Sequence, residues 1–127
     1  MTPNSMTLDA GLLIALDRDE SRAWLILHRA VARAVPPTVP AVVVAQVWRS
    51  GRQANLARAL GHCRIEPVDE HMAKVAGVLC GRAATADAID ALVVASAARR
   101  GDAVVTSDPD DIAALTAHAQ GVSVVAY

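Results

Sequence analysis

The chain has no phenylalanine, one tyrosine, two tryptophans and two cysteines among its 127 residues. Each scarcity excludes something. With only Trp24, Trp48 and Tyr127, there are too few aromatic platforms for the base stacking that OB-fold and RRM modules rely on. Cys63 and Cys80 form no CxxC pair and have no histidine nearby at metal-ligand spacing, so both read as reduced packing residues. No apolar run approaches the ~18 residues that a membrane span needs. The N-terminal MTPNSMTLDAG lacks the basic and apolar regions of a signal peptide, so the expected location is the cytoplasm, with no membrane partner. Net charge is scarce too. Twelve basic side chains against 13 acidic ones leave −1, so no global positive field recruits a polyanion. Any nucleic acid has to be gripped locally, and by arginine, because Lys74 is the sole lysine.

Apolar residues are plentiful. At 54% hydrophobic against 20% charged, burial offsets chain entropy, and the length suits a single domain over residues 1–127. Short β-prone stretches alternate with helical ones. Strands are expected at 6–8, 38–39, 64–68, 103–106 and 122–126. Helices are expected from Asp9 through AGLLIAL, then over 21–34, 41–48, 53–60, from Asp69 to about Cys80, over 86–100 and over 109–119. GRAATA at 81–86 reads as a loop, and Pro40 as a first-turn residue. Strict alternation of this kind favours a parallel sheet covered on both faces.

The acids fall at the joints of that pattern. Asp9 follows the first strand, Asp87 and Asp90 open the helix expected to be the longest, and AVVTSDPDD runs from the fourth strand into Asp108, Asp110 and Asp111. In open α/β sheets, ligands gather outside the carboxyl ends of the strands, so these distant segments are expected to meet in one crevice. Asp87 and Asp90, three apart, share a helix face, and the helix dipole offsets their repulsion by only about 1 kcal/mol. Carboxylates crowded in a partly dry cleft repel by more than that unless a cation joins them, and an oxygen-only donor set suits Mg²⁺ or Mn²⁺. Capping is the competing role, for Asp87 at its helix and for Asp108 or Asp110 beside Pro109. Asp90 stands among small and apolar residues in DALVVASAARRG, where an unpaired charge is costly, so it is expected to reach into the crevice. Asp17, Asp19, Glu20 and Asp102 read as solvated surface.

Three stretches, MTLDAGLLIAL, VVVAQVWRSG and DAIDALVVASAARRGDAVVTSDPDDI, taken together with the order of elements between them, resemble the PIN domain, specifically the VapC toxin nucleases of bacterial toxin–antitoxin pairs. The resemblance implies a three-layer α/β/α sandwich around a mainly parallel five-stranded sheet. It implies a Mg²⁺-dependent endoribonuclease, with Mn²⁺ as a substitute ion and Asp9, Asp90 and Asp108 as core carboxylates. Asp87 and Asp111 would support them directly or through water, while Asp110 stays out. The partners implied are an RNA substrate, a VapB-type antitoxin wrapping the toxin, and a second copy of the chain. Exposed apolar faces on the helices between 21 and 60 could serve the two protein contacts. Arg49 and Arg52 are expected near the mouth, where they would hold flanking phosphates.

One position departs from the pattern. The family expects a glutamate where this chain has Gln46. An amide keeps an acceptor oxygen but loses the charge, so it orients a water or an Asp while binding Mg²⁺ more weakly. Its neighbours Val43, Val44, Val47 and Trp48 make a semi-buried side chain the expectation. A natural active variant, a natural loss of activity, and a substitution that let a toxic protein be produced all remain open, as does a non-catalytic module that binds antitoxin or RNA. A response-regulator receiver domain also sets acids at a sheet edge. It requires an acceptor Asp after the third strand and a Lys after the fifth, and IEPVDE and SVVAY supply neither arrangement.

Overall fold

In the computed structural model, residues 5–127 are described; residues 1–4, which begin the stretch read above as lacking a signal peptide, lie outside the described residues. The chain order is β1 (Met6–Leu8), α1 (Ala10–Asp17), α2 (Ser21–Ala32), β2 (Thr38–Pro40), α3 (Ala41–Val47), α4 (Ala54–Leu60), β3 (Arg64–Glu66), α5 (Glu70–Ala83), α6 (Ala88–Arg100), β4 (Ala103–Thr106), α7 (Pro109–Thr116) and β5 (Ser123–Ala126). All five strands are parallel, in the order β3-β2-β1-β4-β5. Sequence expectation and structure agree on every element.

The sheet runs outward in both directions from β1. The first two crossovers step one way and the last two step the other, so right-handed connections put α1–α4 on one face and α5–α7 on the opposite face. The order reverses between β1 and β4, where adjacent loops diverge to opposite faces and leave a crevice. The 2-1-3-4-5 order of receiver-type sheets is different, which removes that alternative.

Burial explains the strand sequences. AVVT of β4 is buried at every position, as a strand covered on both faces must be. Leu12, Leu13 and Leu16 of α1 pack with Leu27, Val43 and Leu56 in one hydrophobic layer, while Met72, Val93, Val94, Ile112 and Leu115 fill the other. The helix termini carry the expected signals. Asp69 caps α5 by accepting from the Met72 amide at 2.8 Å, and Gly101 ends α6 in the left-handed conformation at φ 69°.

Some boundaries differ. The α5 helix continues to Ala83, absorbing half of GRAATA before Ala84 stops it with a positive φ of 55°, so it is longer than α6, 14 residues against 13. Pro40 closes β2 and precedes the first turn of α3 rather than lying within it. The structure also overturns the expectation that Asp102 is solvated. It is fully buried and accepts from the Thr7 hydroxyl at 2.8 Å and from Arg100 Nε at 2.9 Å. Its position just before a buried strand, opposite β1, takes the side chain into the interior.

Candidate metal centre

Asp9 stands where β1 ends and α1 begins, on the β1 side of the switch point. Its backbone N–H donates to Val105 O at 3.3 Å, fastening the residue to β4, and its carboxylate accepts from the Leu12 amide at 3.3 Å as the α1 cap. The residue is 6% exposed. Burial raises its pKa, the Thr106 hydroxyl and the amides of Leu12 and Gly11 pull it back, and the charge of Asp108 raises it further. Asp9 therefore caps a helix and senses an acid from a different strand.

Asp108 faces it from β4. Thr106, the last residue of that strand, is buried, and its hydroxyl accepts from the Asp108 amide at 2.9 Å while also bonding to Asp9. One hydroxyl thus ties the two strand exits together. Asp108 occupies the cap position of α7, with Pro109 at the first turn, yet its side chain makes no capping hydrogen bond. Capping leaves the Asp108 carboxylate unexplained.

Two more acids come from α6. Asp87 caps that helix, accepting from the Asp90 amide at 3.0 Å, as the alternative role for it requires. Asp90 lies half-buried in the first turn, and its pKa is pushed up to about 7. Burial is the largest cause, followed by the charge of Asp87 and a hydrogen bond to it, then the charges of Asp9 and Asp111. Among the described residues, no basic group is among the causes. Asp9, Asp87, Asp90, Asp108 and Asp111, drawn from β1, α6 and the β4–α7 joint, accordingly form one electrostatic cluster. Asp110, exposed in the first turn of α7, is not among the groups that shift either Asp9 or Asp90.

Gly11 permits this approach. A Cβ there would stand 2.8 Å from Ser107 Cβ and nearer still to its hydroxyl, so only a residue without a side chain lets α1 begin against the loop that carries Asp108. Thr106, Ser107 and Gly11 were not singled out from the sequence. The discoverable signal was a glycine two places after the first acid and a hydroxyl residue two places before Asp108.

The remaining candidates, Gln46, Arg49 and Arg52, make no hydrogen bond to these carboxylates. Gln46 is exposed rather than semi-buried: Val43 and Val47 face the core, and the helical turn between them carries the amide to the flank. Arg49 donates through Nη1 to the carbonyls of Ala45 and Trp48, at 3.3 and 2.9 Å, and so finishes α3. The loop holding Arg49 and Arg52 is fastened by Gln53 to Asp17, the last residue of α1, with Nε2 to Oδ2 at 3.2 Å. That end of α1 is eight residues, or about 12 Å, beyond the Asp9 cap. Both cysteines are free; burial pushes the Cys63 thiol up to about 12, and the Cys80 thiol donates weakly to Asp87 O at 3.7 Å. A groove of about 450 Å³ between α5 and the end of α7, floored by Val75, Val78 and Leu79, contains none of the acids. Chemistry rather than cavity size identifies the crevice as the site.

The donor set fits a hard divalent cation: oxygen only, desolvated at Asp9, and mutually repelling. Among the described residues, no three His, Cys, Asp or Glu side chains stand close enough to enclose an ion directly. Mg²⁺ typically keeps several waters and takes only one or two carboxylates directly, so water would have to join the remaining acids to an ion here.

A doubly wound, all-parallel sheet with an acidic, oxygen-only cluster at its switch point is thus the class that the fold and site define. The PIN domain family matches residues 6–118, and the chain belongs to that family, whose members are generally nucleases. Among solved structures, a chain of VapBC2 from Rickettsia felis, bound to a promoter DNA fragment, is similar with a TM-score of 0.70 at 12% identity, covering 97% of this chain and 98% of that one. FitAB bound to the IR36 DNA fragment gives 0.66 at 19% identity, with 95% and 94% covered. FitAcB from Neisseria gonorrhoeae gives 0.66 at 21% identity, with 94% and 95% covered. These likenesses establish the fold. No curated protein matches the chain in sequence.

Proposed function

We propose that this protein is a VapC-type toxin, an endoribonuclease that hydrolyses RNA phosphodiester bonds with the help of Mg²⁺. The observation carrying the reading is the position of Asp90, half-buried beside Asp87, Asp9 and Asp111, whose charges together with burial raise its pKa to about 7. When bound, a divalent ion supplies an acidified water at neutral pH and a counter-charge for the phosphate. Asp9, Asp90 and Asp108 would hold that ion, one or two of them directly and the rest through water, with Asp87 and Asp111 as supporting acids, directly or through water. Asp9 is the fixed reference of the set, because α1 and β4 both grip it, while the uncapped Asp108 carboxylate is free to turn toward the ion. Thr106 keeps the two at constant separation. Arg49 and Arg52 contact phosphates flanking the scissile one, about one helix length from the acids.

The antitoxin and self-pairing belong to the same proposal. VapBC2 and FitAB, whose names join two components, share this fold, which supports a VapB-type partner. Exposed Leu25 and Val31 of α2 and Trp48 after α3 supply apolar surface for that partner and for a second copy. No helix among the described residues is long and apolar enough to cross a membrane, which agrees with the cytoplasmic location we propose.

Gln46 supports a second reading, a PIN domain that binds antitoxin or RNA without turnover, since the amide brings no charge to the cluster. Cleavage of a mixed RNA pool with Mn²⁺ titrated to millimolar levels separates the two. Metal-dependent cleavage that Asp90→Asn abolishes is the expected result. Silence at every Mn²⁺ concentration would reject the nuclease in favour of the binding module.

A further inference from the structure

The α5–α7 face of the sheet encloses a second cluster of charge, which the proposed chemistry does not use. Arg100, the last residue of α6, donates to four side chains: to Asp102 from Nε at 2.9 Å, to Glu66 from Nη1 at 2.5 Å, and from Nη2 to the hydroxyls of Thr7 and Ser96 at 2.9 Å each. Ser96 in turn donates to the other Glu66 oxygen at 2.8 Å, and Asp102 also accepts from Thr7 and Ser5. The arginine side chain is 18% exposed and its two acids 7% and 0%, so this is an interior network rather than a surface pair. Every buried polar side-chain atom among the described residues has a partner.

The connections matter more than the charges. Thr7 lies two residues before Asp9 on β1, Asp102 lies six before Asp108 on the segment entering β4, and Arg100 lies ten after Asp90 on α6. One guanidinium thus bonds all three elements that carry the principal acids, with β3 added through Glu66. The buried apolar side chains of α6 are small or β-branched, Ala91, Val93, Val94, Ala95 and Ala97, and present short knobs for fixing its axial position. A planar, multiply bonded arginine does fix it.

We infer that Arg100 is a positioning residue: it pins the C-terminal end of α6 to β1 and β4 and thereby sets where Asp87 and Asp90 stand relative to Asp9 and Asp108. The inference rests on the proposal that those acids hold a divalent ion, and its test separates the two. Arg100→Met combined with Glu66→Gln and Asp102→Asn removes the three charges together, so none is stranded in the interior. Thr7→Val, nearly isosteric, removes only the hydroxyl. Mn²⁺ affinity by calorimetry and amide hydrogen exchange over residues 88–92 are measured on the full chain, under conditions where each variant is folded. The expected result for the triple variant is about a tenfold loss of Mn²⁺ affinity. Exchange over 88–92 should also quicken, about 15 Å along the helix from the substitution. Thr7→Val moves both readouts less but in the same direction, and it decides alone if the triple variant does not fold. A role confined to local stability would loosen the amides around residue 100 and leave 88–92 unchanged. Wild-type exchange at 88–92 in the folded variants overturns the inference, and so does unchanged affinity where the wild type binds Mn²⁺. A wild type that binds no Mn²⁺ while exchange at 88–92 still quickens would retain the hub and reject the metal site.

Discussion

Asp90→Asn tests the electrostatics of the crevice without any substrate. The folded pKa of Asp90, about 7, lies above its ordinary value of 3.8. Protonation therefore favours the native state: this stabilising effect is complete below 3.8 and is lost as the pH rises through 7. A difference of about three units corresponds to roughly 4 kcal/mol for a fully shielded group. Asp90 is only half-buried and its neighbours Asp87 and Asp111 are exposed, so solvent screening reduces the effect to about 1–2 kcal/mol. Asparagine retains the backbone amide that bonds Asp87 and removes only the charge. In chelator, urea denaturation followed by tryptophan fluorescence should show the variant more stable than wild type by about 1–2 kcal/mol at pH 8. The gain should fall to a few tenths of a kcal/mol at pH 4. Saturating Mg²⁺ should restore the wild type and leave the variant unchanged, because only the wild type gains a ligand that favours the native state. A variant less stable than wild type at pH 8, or offset equally at both pH values, would refute the reasoning.

Other consequences follow from the local geometry. Asp108→Asn should cost well under 1 kcal/mol by denaturation, because its carboxylate makes no capping bond, while Mn²⁺ binding by calorimetry falls sharply; a loss of the ~1 kcal/mol typical of a cap would return Asp108 to a structural role. Gly11→Ala forces Ser107 away from α1 and should slow RNA cleavage by about a hundredfold, measured by single-turnover kinetics, since displacement of catalytic groups by ~1 Å has that scale. Gln46→Glu should raise Mg²⁺ affinity and cleavage together; equal Mg²⁺ binding by the two forms in calorimetry would remove position 46 from the site.

The order of elements was legible because most strands are short apolar runs and several helices carry a cap or a stop that physics ties to residue type, such as Asp69 before α5 and Gly101 after α6. The gathering of acids was legible for the same reason: a parallel sheet must deliver Asp9 and Asp108 to one edge. What could not be read is what depends on side-chain direction. Asp102 looks like any acid beside a glycine, and only the pairing of β1 with β4 shows that it turns inward to Arg100. Gln46 sits among valines, yet its rotational setting on α3 leaves it in solvent. Gly11 is unremarkable until Ser107, nearly a hundred residues later in the chain, is placed against it. Each of these depends on a contact between segments far apart in sequence, where local periodicity carries no signal.

The central claim is that carboxylates from β1, α6 and the β4–α7 joint together hold a divalent ion. A crystal grown or soaked with Mn²⁺, with data collected for anomalous scattering, tests it most directly. An anomalous peak in the crevice, with at least one oxygen of Asp9, Asp90 or Asp108 about 2.1 Å away and waters joining the rest, is the predicted result. A peak only at some other surface, with those three side chains left apart and hydrated, would contradict the account.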